Sequence, residues 1–405
     1  MARIILGLNN CFIARVCLST FLFLCLTEAA DLYVKVFDVR KYGARGDGKT
    51  DNTKAFLSAW KEACEWNGRG RVYIPVGRYL VGEILFMGPC KGSLSFFIKG
   101  DLKAPANPFS IKGDTWIAFR YIDHLVVTGG GTLDGQGPSA WPFNDCHKNP
   151  NCRPLATTMA FQFVKESKLK RIKSLNSKNT HFSFFGCENM KVSNLIISAP
   201  ANSPNTDGIK IGMSNNIEFS SLNIGTGDDC IAMLSGISNI NISKVQCGPG
   251  HGISIGSLGK NPGERNIERI TIKDSTISHS SDGLRIKTWA DSISSIVVSD
   301  IIYDNIIINN VGTPINIDQQ YCPYPPCNLK PGSTVQIKDV TFRNIRGTTR
   351  SKTAVNLKCS KRFPCKNIVL HDVNLSSRGP EGPARTLCEY VNGRSYGKMI
   401  PPACF

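Results

Sequence analysis

An eight-residue pattern, apolar–any–apolar–any–any–apolar–any–apolar, recurs through the second half of this 405-residue chain. Met190, Val192, Leu195 and Ile197 write it first, then Ile217, Phe219, Leu222 and Ile224. Ile240, Ile242, Val245 and Cys247 follow, then Ile270, Ile272 and Ile277 with Ser275 as the polar member. Ile301, Tyr303, Ile306 and Ile308 come next, a shorter copy uses Val340, Phe342 and Ile345, and Ile368, Leu370, Val373 and Leu375 close the series. The copies start 23 to 39 residues apart. A unit of that length is one turn of a solenoid, too small to bury its own apolar face and stable only when stacked. The units are short, β-branched and separated by Gly, Asn, Asp and Ser, so each turn holds strands. A leucine-rich solenoid is disfavoured because its leucine signature and helices are missing. The fold expected is all-β: a single-stranded, right-handed parallel β-helix. Asn189, Asn216 and Asn239 each precede the first apolar member of their copy and read as a stacked ladder at a bend.

Ahead of the repeat lies one amphipathic helix between Asp51 and Trp66, with Asp51 or Thr53 as its cap and Ala55, Phe56, Ala59, Trp60 and Ala63 on its apolar face. It stands where a solenoid needs its first open core covered. Short strands are expected around Val72, Tyr79 and Phe96, a loop region over residues 129–152, and a closing cap over residues 376–405. Nothing marks a domain boundary. Residues 1–30 read as a secretory leader: Arg3 and Arg15 carry charge, residues 16–26 are an apolar core too short to span a bilayer, and Thr27-Glu28-Ala29-Ala30 resembles a cleavage site. Residues 31–405 then form one catalytic domain, secreted and free of membrane.

Sixteen cysteines fit an oxidising compartment. Cys11, Cys17 and Cys25 leave with the leader, and local spacing pairs Cys146–Cys152, Cys230–Cys247, Cys322–Cys327, Cys359–Cys365 and Cys388–Cys404, with Cys64–Cys90 further apart. Cys187 remains over, as a buried small apolar residue. No zinc-like spacing with histidines occurs, so no cysteine metal site is expected; no cofactor is expected either. The formal charge of +17 drops by one with the leader and points to a polyanionic partner, an acidic polysaccharide or wall matrix, with solubility alone as the plainer reading. No nucleic-acid module is present. Asn241-Ile242-Ser243 and Asn374-Leu375-Ser376 match the glycosylation acceptor pattern.

Ile209, Ile231 and Ile253 are spaced by 22 residues, and Asp207, Asp229 and His251 each lie two residues before them. One solenoid turn apart, those three side chains would stack about 4.8 Å from one another. Leu284-Arg285-Ile286-Lys287 holds the same phase one turn on, with Arg285 and Lys287 pointing opposite to Ile286. Carboxylates so close repel, and at least one pKa should rise. A raised carboxyl donates a proton while an ionised neighbour accepts one, the division of labour of glycoside hydrolysis. His251 would hold a proton or orient a carboxylate, and Arg285 and Lys287, on an exposed face, suit a substrate carboxylate. A lone Asp-Gly is usually a turn, and Asp282-Gly283, at the same phase, is left as one.

Asn205-Thr206-Asp207, Gly227-Asp228-Asp229, Gly250-His251-Gly252 and Arg285-Ile286-Lys287 together resemble the four signature motifs of the polygalacturonases, glycoside hydrolase family 28, as do Phe37-Asp38-Val39 and Thr50-Asp51 near the start. The resemblance implies inverting, metal-free hydrolysis of α-1,4-galacturonan. By matching position it makes Asp228 the general acid, Asp207 and Asp229 the activators of water, and His251 the support of the acid's proton state. Arg285 and Lys287 would bind the galacturonate carboxylate, Asn205 would contribute to substrate binding, and Tyr321 resembles a subsite tyrosine. The spacing of Cys230 and Cys247, the run 247–257 and Tyr321-Cys322-Pro323 are similar to the plant pollen-type exopolygalacturonases, while Ala232-Met233-Leu234-Ser235 departs from the usual residues. The expected enzyme is an extracellular, monomeric, exo-acting polygalacturonase. An endo-acting enzyme, a calcium-dependent pectate lyase and a silent wall-binding protein are the alternatives.

Overall fold

The first apolar members of the repeat, Met190, Ile217, Ile240, Ile270, Ile301, Val340 and Ile368, are successive partners in parallel strands. The computed structural model describes residues 33–405 apart from 147, 148, 150, 151, 324, 329–331, 378, 380 and 381; the leader read at 1–30 and the start near Asp31 lie outside the described residues. Strands gather into one sheet of 19 and one of 11, and the chain coils between them. Connections between parallel strands of one sheet are right-handed, which gives the coil its hand.

The eight-residue pattern has a local cause. Residues in the left-handed region come in pairs five positions apart on each turn of the recognisable repeat: Asn189 and Asn194, Asn216 and Ser221, Asn239 and Lys244, Arg269 and Asp274, Asp300 and Asn305, Asp339 and Asn344, Asn367 and Asp372. Their φ angles lie between 51° and 58°. Eleven of these fourteen are Asn or Asp, the side chains that best tolerate that conformation. The first kink falls just before the pattern and the second fills its double gap, so inward side chains resume their phase after each bend. The asparagine ladder is partly formed. Asn216 Nδ2 donates to Asn189 Oδ1 at 2.6 Å, but Asn239 Nδ2 bonds Asn215 Oδ1 at 2.7 Å. Ser275, the polar member of its copy, accepts from the Val245 amide and donates to the Lys273 carbonyl, so its hydroxyl is satisfied.

On the smaller sheet Ile84, Ile117, Met159, Phe182, Ile209, Ile231, Ile253, Leu284, Ile315 and Val355 are consecutive partners, all buried. The solenoid therefore starts well before the recognisable repeat. Strand Val34–Asp38 already pairs with Arg69–Ile74, and the region expected to be loop contains strand Thr132–Asp134. The tail is also more than a cap. Arg385–Glu389 and Val391–Ile400 add a further turn before Phe405 packs against the core.

Helix Thr53–Glu65 buries Ala55, Phe56, Ala59, Trp60 and Ala63, as its spacing requires. Its capping differs from expectation. Asn52 holds the N-cap position with its side chain turned to the Arg45 amide and Leu80 carbonyl, while Asp51 accepts from the Thr53 amide at 2.9 Å. All six expected disulfides are present and Cys187 is the buried free thiol, its pKa pushed up to about 11 by burial. Asn241 is exposed and Asn374 half-buried, both within strands of the larger sheet. Among the described residues no helix is long and apolar enough to cross a membrane.

Candidate active site

Strands Ile209–Gly212, Ile231–Met233 and Ile253–Leu258 each begin immediately beyond a bend, and the acidic and imidazole side chains sit on those bends. Gly252 has φ +85°, and a Cβ there would lie 2.3 Å from the Gly283 carbonyl oxygen, so the turn that carries His251 needs glycine. Gly227 likewise passes against Ser203, whose carbonyl oxygen would lie 1.9 Å from a Cβ. These glycines let the backbone leave strand alternation, as three polar groups before three inward isoleucines demand.

The backbone column stacks as expected: the Gly208 amide donates to Asp229 O at 2.9 Å and the Cys230 amide to Gly252 O at 2.8 Å. The side chains depart from a simple column. His251 turns to Asp228, its Nδ1 lying 3.0 Å from Oδ1, instead of stacking on Asp229. Asp229 is buried, accepting from Ser254 Oγ at 2.6 Å and from Lys287 Nζ at 2.8 Å. Asp207 meets Lys210 Nζ at 3.0 Å. Asn205 Nδ2 lies 3.4 Å from Asp228 Oδ2 and is itself held by Asn144 at 2.8 Å. Of the three carboxylate side chains Asp228 is the most open, 18% exposed against 8% for Asp207 and 3% for Asp229.

Burial pushes the Asp207 carboxyl up to about 6, with Asp228 and Asp229 adding repulsion and Lys210 opposing. Lys210 is held above its ordinary value chiefly by the Asp207 charge. Burial also raises Asp228, but the hydrogen bond and charge of His251, with Lys287 behind, outweigh it and the net direction is down. The hydrogen bond to Asp228 raises His251 against the opposing effect of burial. The expected raised carboxyl thus exists, at Asp207; the residue matched to the acid is held down by its imidazole neighbour instead.

Arg285 and Lys287 lie in the floor of the site, correcting the reading that they stand on an exposed face. Their side chains are 14% and 9% exposed, because each is already drawn to an acid. Arg285 Nη1 is 3.4 Å from Asp282, the residue left as a turn, and Asp282 accepts from Asn316 Nδ2 at 2.7 Å. Arg285 Nε is buried without a protein partner. Tyr321 joins them, its ring 5.3 Å from the Arg285 guanidinium carbon, 5.5 Å from Lys287 Nζ and edge-on to Trp289. All eight sequence candidates therefore belong to one neighbourhood. Lys210, Ser254 and Asp282 were missed; the outward column Ser183, Lys210, Ala232, Ser254, Arg285, Asn316, read at the isoleucine phase plus one, would have found the first two. Ala232, part of the atypical run, is a small floor residue between Lys210 and Ser254.

One oxygen each of Asp228 and Asp229 and a ring nitrogen of His251 lie within 4.8 Å of one another, a grouping of the kind that can hold a cation. The donor set fits one poorly. Lys287 and Ser254 occupy Asp229, while His251 and the Asp229 amide share Asp228 Oδ1. A cavity of about 210 Å³ adjoins Lys210, bounded by Ser183, Phe185, Leu234 and Ser257. A wider concavity, about 730 Å³, lies on the outer face of the other sheet around Asn216, Asn241 and Lys273 and includes none of the motif residues.

Comparison with known proteins places the chain in a family. The chain is 44% identical over 367 residues to an exopolygalacturonase of Platanus acerifolia, covering 90% of this chain and 97% of that one. It is 45% identical over 355 residues to one of Oenothera organensis, covering 87% and 98%. In fold it is similar to an exopolygalacturonase of Thermotoga maritima, with a TM-score of 0.71 at 18% identity over 89% of this chain and 90% of that one. An endo-xylogalacturonan hydrolase of Aspergillus tubingensis gives 0.76 at 20% over 90% and 100%. The model of glycosyl hydrolases family 28 matches residues 64–399, and the chain belongs to that family.

Proposed function

We propose that this chain hydrolyses the α-1,4-galacturonosyl bonds of polygalacturonan, acting from chain ends to release galacturonic acid, as a secreted wall enzyme that works as a monomer without metal or cofactor. The observation that carries this is the meeting of Asp207, Asp228, Asp229 and His251 over a floor containing Arg285 and Lys287. The two relatives above, which align over nearly their full length, are exopolygalacturonases.

Asp228 is the general acid in this reading, since it is the carboxyl most open to a glycosidic oxygen and has a proton relay in His251. A bound sugar adds burial and a like charge from its own carboxylate, and both push Asp228 upward toward the range a proton donor needs. Asp207 and Asp229, deeper and each beside an ammonium, hold and deprotonate the water. The Arg285 guanidinium, whose side chain keeps 14% exposure, receives the uronate carboxylate. Lys287 acts through Asp229 as well as on the substrate, while Asn205 and Tyr321 border the sugar.

The Asp228 and Asp229 oxygens are closer than the roughly 6.5–9.5 Å usual for inverting pairs, so the stereochemistry needs its own measurement. A fresh digest of polygalacturonate should contain the β-anomer of galacturonic acid before mutarotation, by proton NMR. Monomer should accumulate from the start with little fall in viscosity. An initial α-anomer would overturn the roles assigned; early mixed oligomers would favour internal cleavage; ultraviolet-absorbing products stopped by chelation would indicate elimination.

A further inference from the structure

We propose that a basic groove on the outer face of the larger sheet, near the N-terminal end, is a second binding site for an anionic uronate chain, distinct from the cleft that carries the carboxylates. This rests on the reading of polygalacturonan as substrate. The groove encloses about 270 Å³ and is lined by Arg69, Arg71, His124, Lys170 and Arg171, with Phe97 on its floor and no acidic side chain.

Strands Arg69–Ile74, Leu94–Ile98, Leu125–Thr128 and Lys168–Lys170 build it, pairing in that order. Arg71, Ser95, Val126 and Lys168 are successive partners on one outward column. Two smaller side chains between two long cations leave a trough across four rungs, about 14 Å from first to last at the usual strand spacing. That is room for several pyranose units. Arg71 is held across the trough, its guanidinium 4.8 Å from the Phe97 ring centre and its Nε bonded to Ser95 Oγ at 3.4 Å. An arginine braced on an aromatic ring keeps further N–H groups for a carboxylate, and the ring offers an apolar face to a sugar.

The contrast with other hollows on this sheet makes the groove more than general basicity. Two of them mix acids with their cations, Glu166 and Glu218 beside Lys191 and Lys273 in one and Asp101 and Asp134 beside Arg78 and Lys103 in the other. Among the described residues Arg71, Lys170 and Arg171 have no ion pair, although Lys165 on the same turn and Lys191 on the next each have a glutamate beside them. A linear polyanion supplies the missing carboxylates at intervals. The carboxylates of the cleft sit on bends leading into the other sheet, so this groove tethers the enzyme to the polymer and leaves the cleft free for chain ends.

Retention on insoluble polygalacturonate at fixed ionic strength, read without turnover, tests this. The variant Arg71→Gln/Lys170→Gln/Arg171→Gln should be held about tenfold more weakly, as expected for three solvent-accessible charge contacts. It should also show a raised KM on polymer, with digalacturonate cleaved at the unaltered rate, which reports an intact fold. The control Lys338→Gln/Arg343→Gln/Arg346→Gln, removing equal charge further along the same sheet, should be retained like the unaltered chain. Undiminished retention of the groove variant would overturn the proposal, as would an equal loss in the control or equal retention of the unaltered chain on fully methyl-esterified polymer. Failure of the unaltered chain to cleave digalacturonate would count against the catalytic reading and leave the retention result to judge the groove.

Discussion

Asp228 holds one contact that an amide can keep and one function that it cannot. Asp228→Asn preserves the shape and leaves one oxygen for the Asp229 amide, while its NH2 faces the Asn205 donor. It cannot donate a carboxyl proton, so kcat on polygalacturonate should fall roughly 10²–10⁴-fold, with KM little changed. Near-normal turnover would move the acid elsewhere. In the proposed reading Asp207 sets the pH response. Its carboxyl, pushed up to about 6 by burial, must be ionised to draw a proton from water, so kcat/KM should decline as pH falls through about 6. Lys210 opposes that rise from 3.0 Å, and Lys210→Met should shift the acidic limb to higher pH. A limb that stays in place would make Asp229 the sole base. Linkage runs the other way for folding: a carboxyl raised from 3.8 to about 6 disfavours the ionised native state above about 6, and its protonation adds stability as pH falls from there toward 3.8. The motif residues could be read because their chemistry is unusual at that phase. Their partners could not. Lys210 and Ser254 are ordinary outward strand residues until the next rung brings an aspartate against them, and Asp282 looks like any Asp-Gly turn until Arg285 folds onto it.

Among the elements, the repeat was legible where the kinks are regular and illegible where they are not. From Met190 onward, each turn carries two left-handed residues five apart, so its apolar positions stay in register and announce themselves. Earlier turns use three-residue strands such as Asp101–Lys103 and Thr132–Asp134, with glycine or other residues at the bends, and a single buried leucine in each is too little signal. The capping helix was readable because it alone has helical spacing, and its function follows from what Trp60 covers. The indole packs on Phe86, Phe96 and Phe119, and its N–H donates to Met87 O at 3.2 Å. Trp60→Ala should cost about 3–5 kcal/mol in denaturant unfolding, the usual range for a large aromatic lost from a core. Because the cap shields the open end of a parallel coil, the variant should also associate at concentrations where the unaltered protein does not, seen by size-exclusion chromatography. Loss of stability without association would leave the helix as a packing element and not an edge guard.

At the scale of the whole molecule, charge and chemistry separate. The chain has a formal charge of +17, yet the described carboxylate site is close to balanced by its own partners, Lys210, Lys287 and Arg285 opposing Asp207, Asp229 and Asp282. Most of the positive field therefore comes from outside the cleft and acts over distances that salt screens, about 10 Å at 0.1 M. Contacts inside the cleft are partly buried and screened far less. Raising ionic strength from about 0.05 to 0.5 M should consequently raise KM for polygalacturonate several-fold while kcat stays within about twofold, and the effect on digalacturonate, with few charges to attract, should be smaller. Methyl-esterification removes the charge at both scales at once. It abolishes the long-range attraction and also leaves the Arg285 fork facing a neutral ester, so kcat as well as kcat/KM should collapse on the fully esterified polymer. If salt reduced kcat as strongly as esterification does, the substrate carboxylate would be held by screened surface charge, and the assignment of Arg285 as its buried receptor would fail.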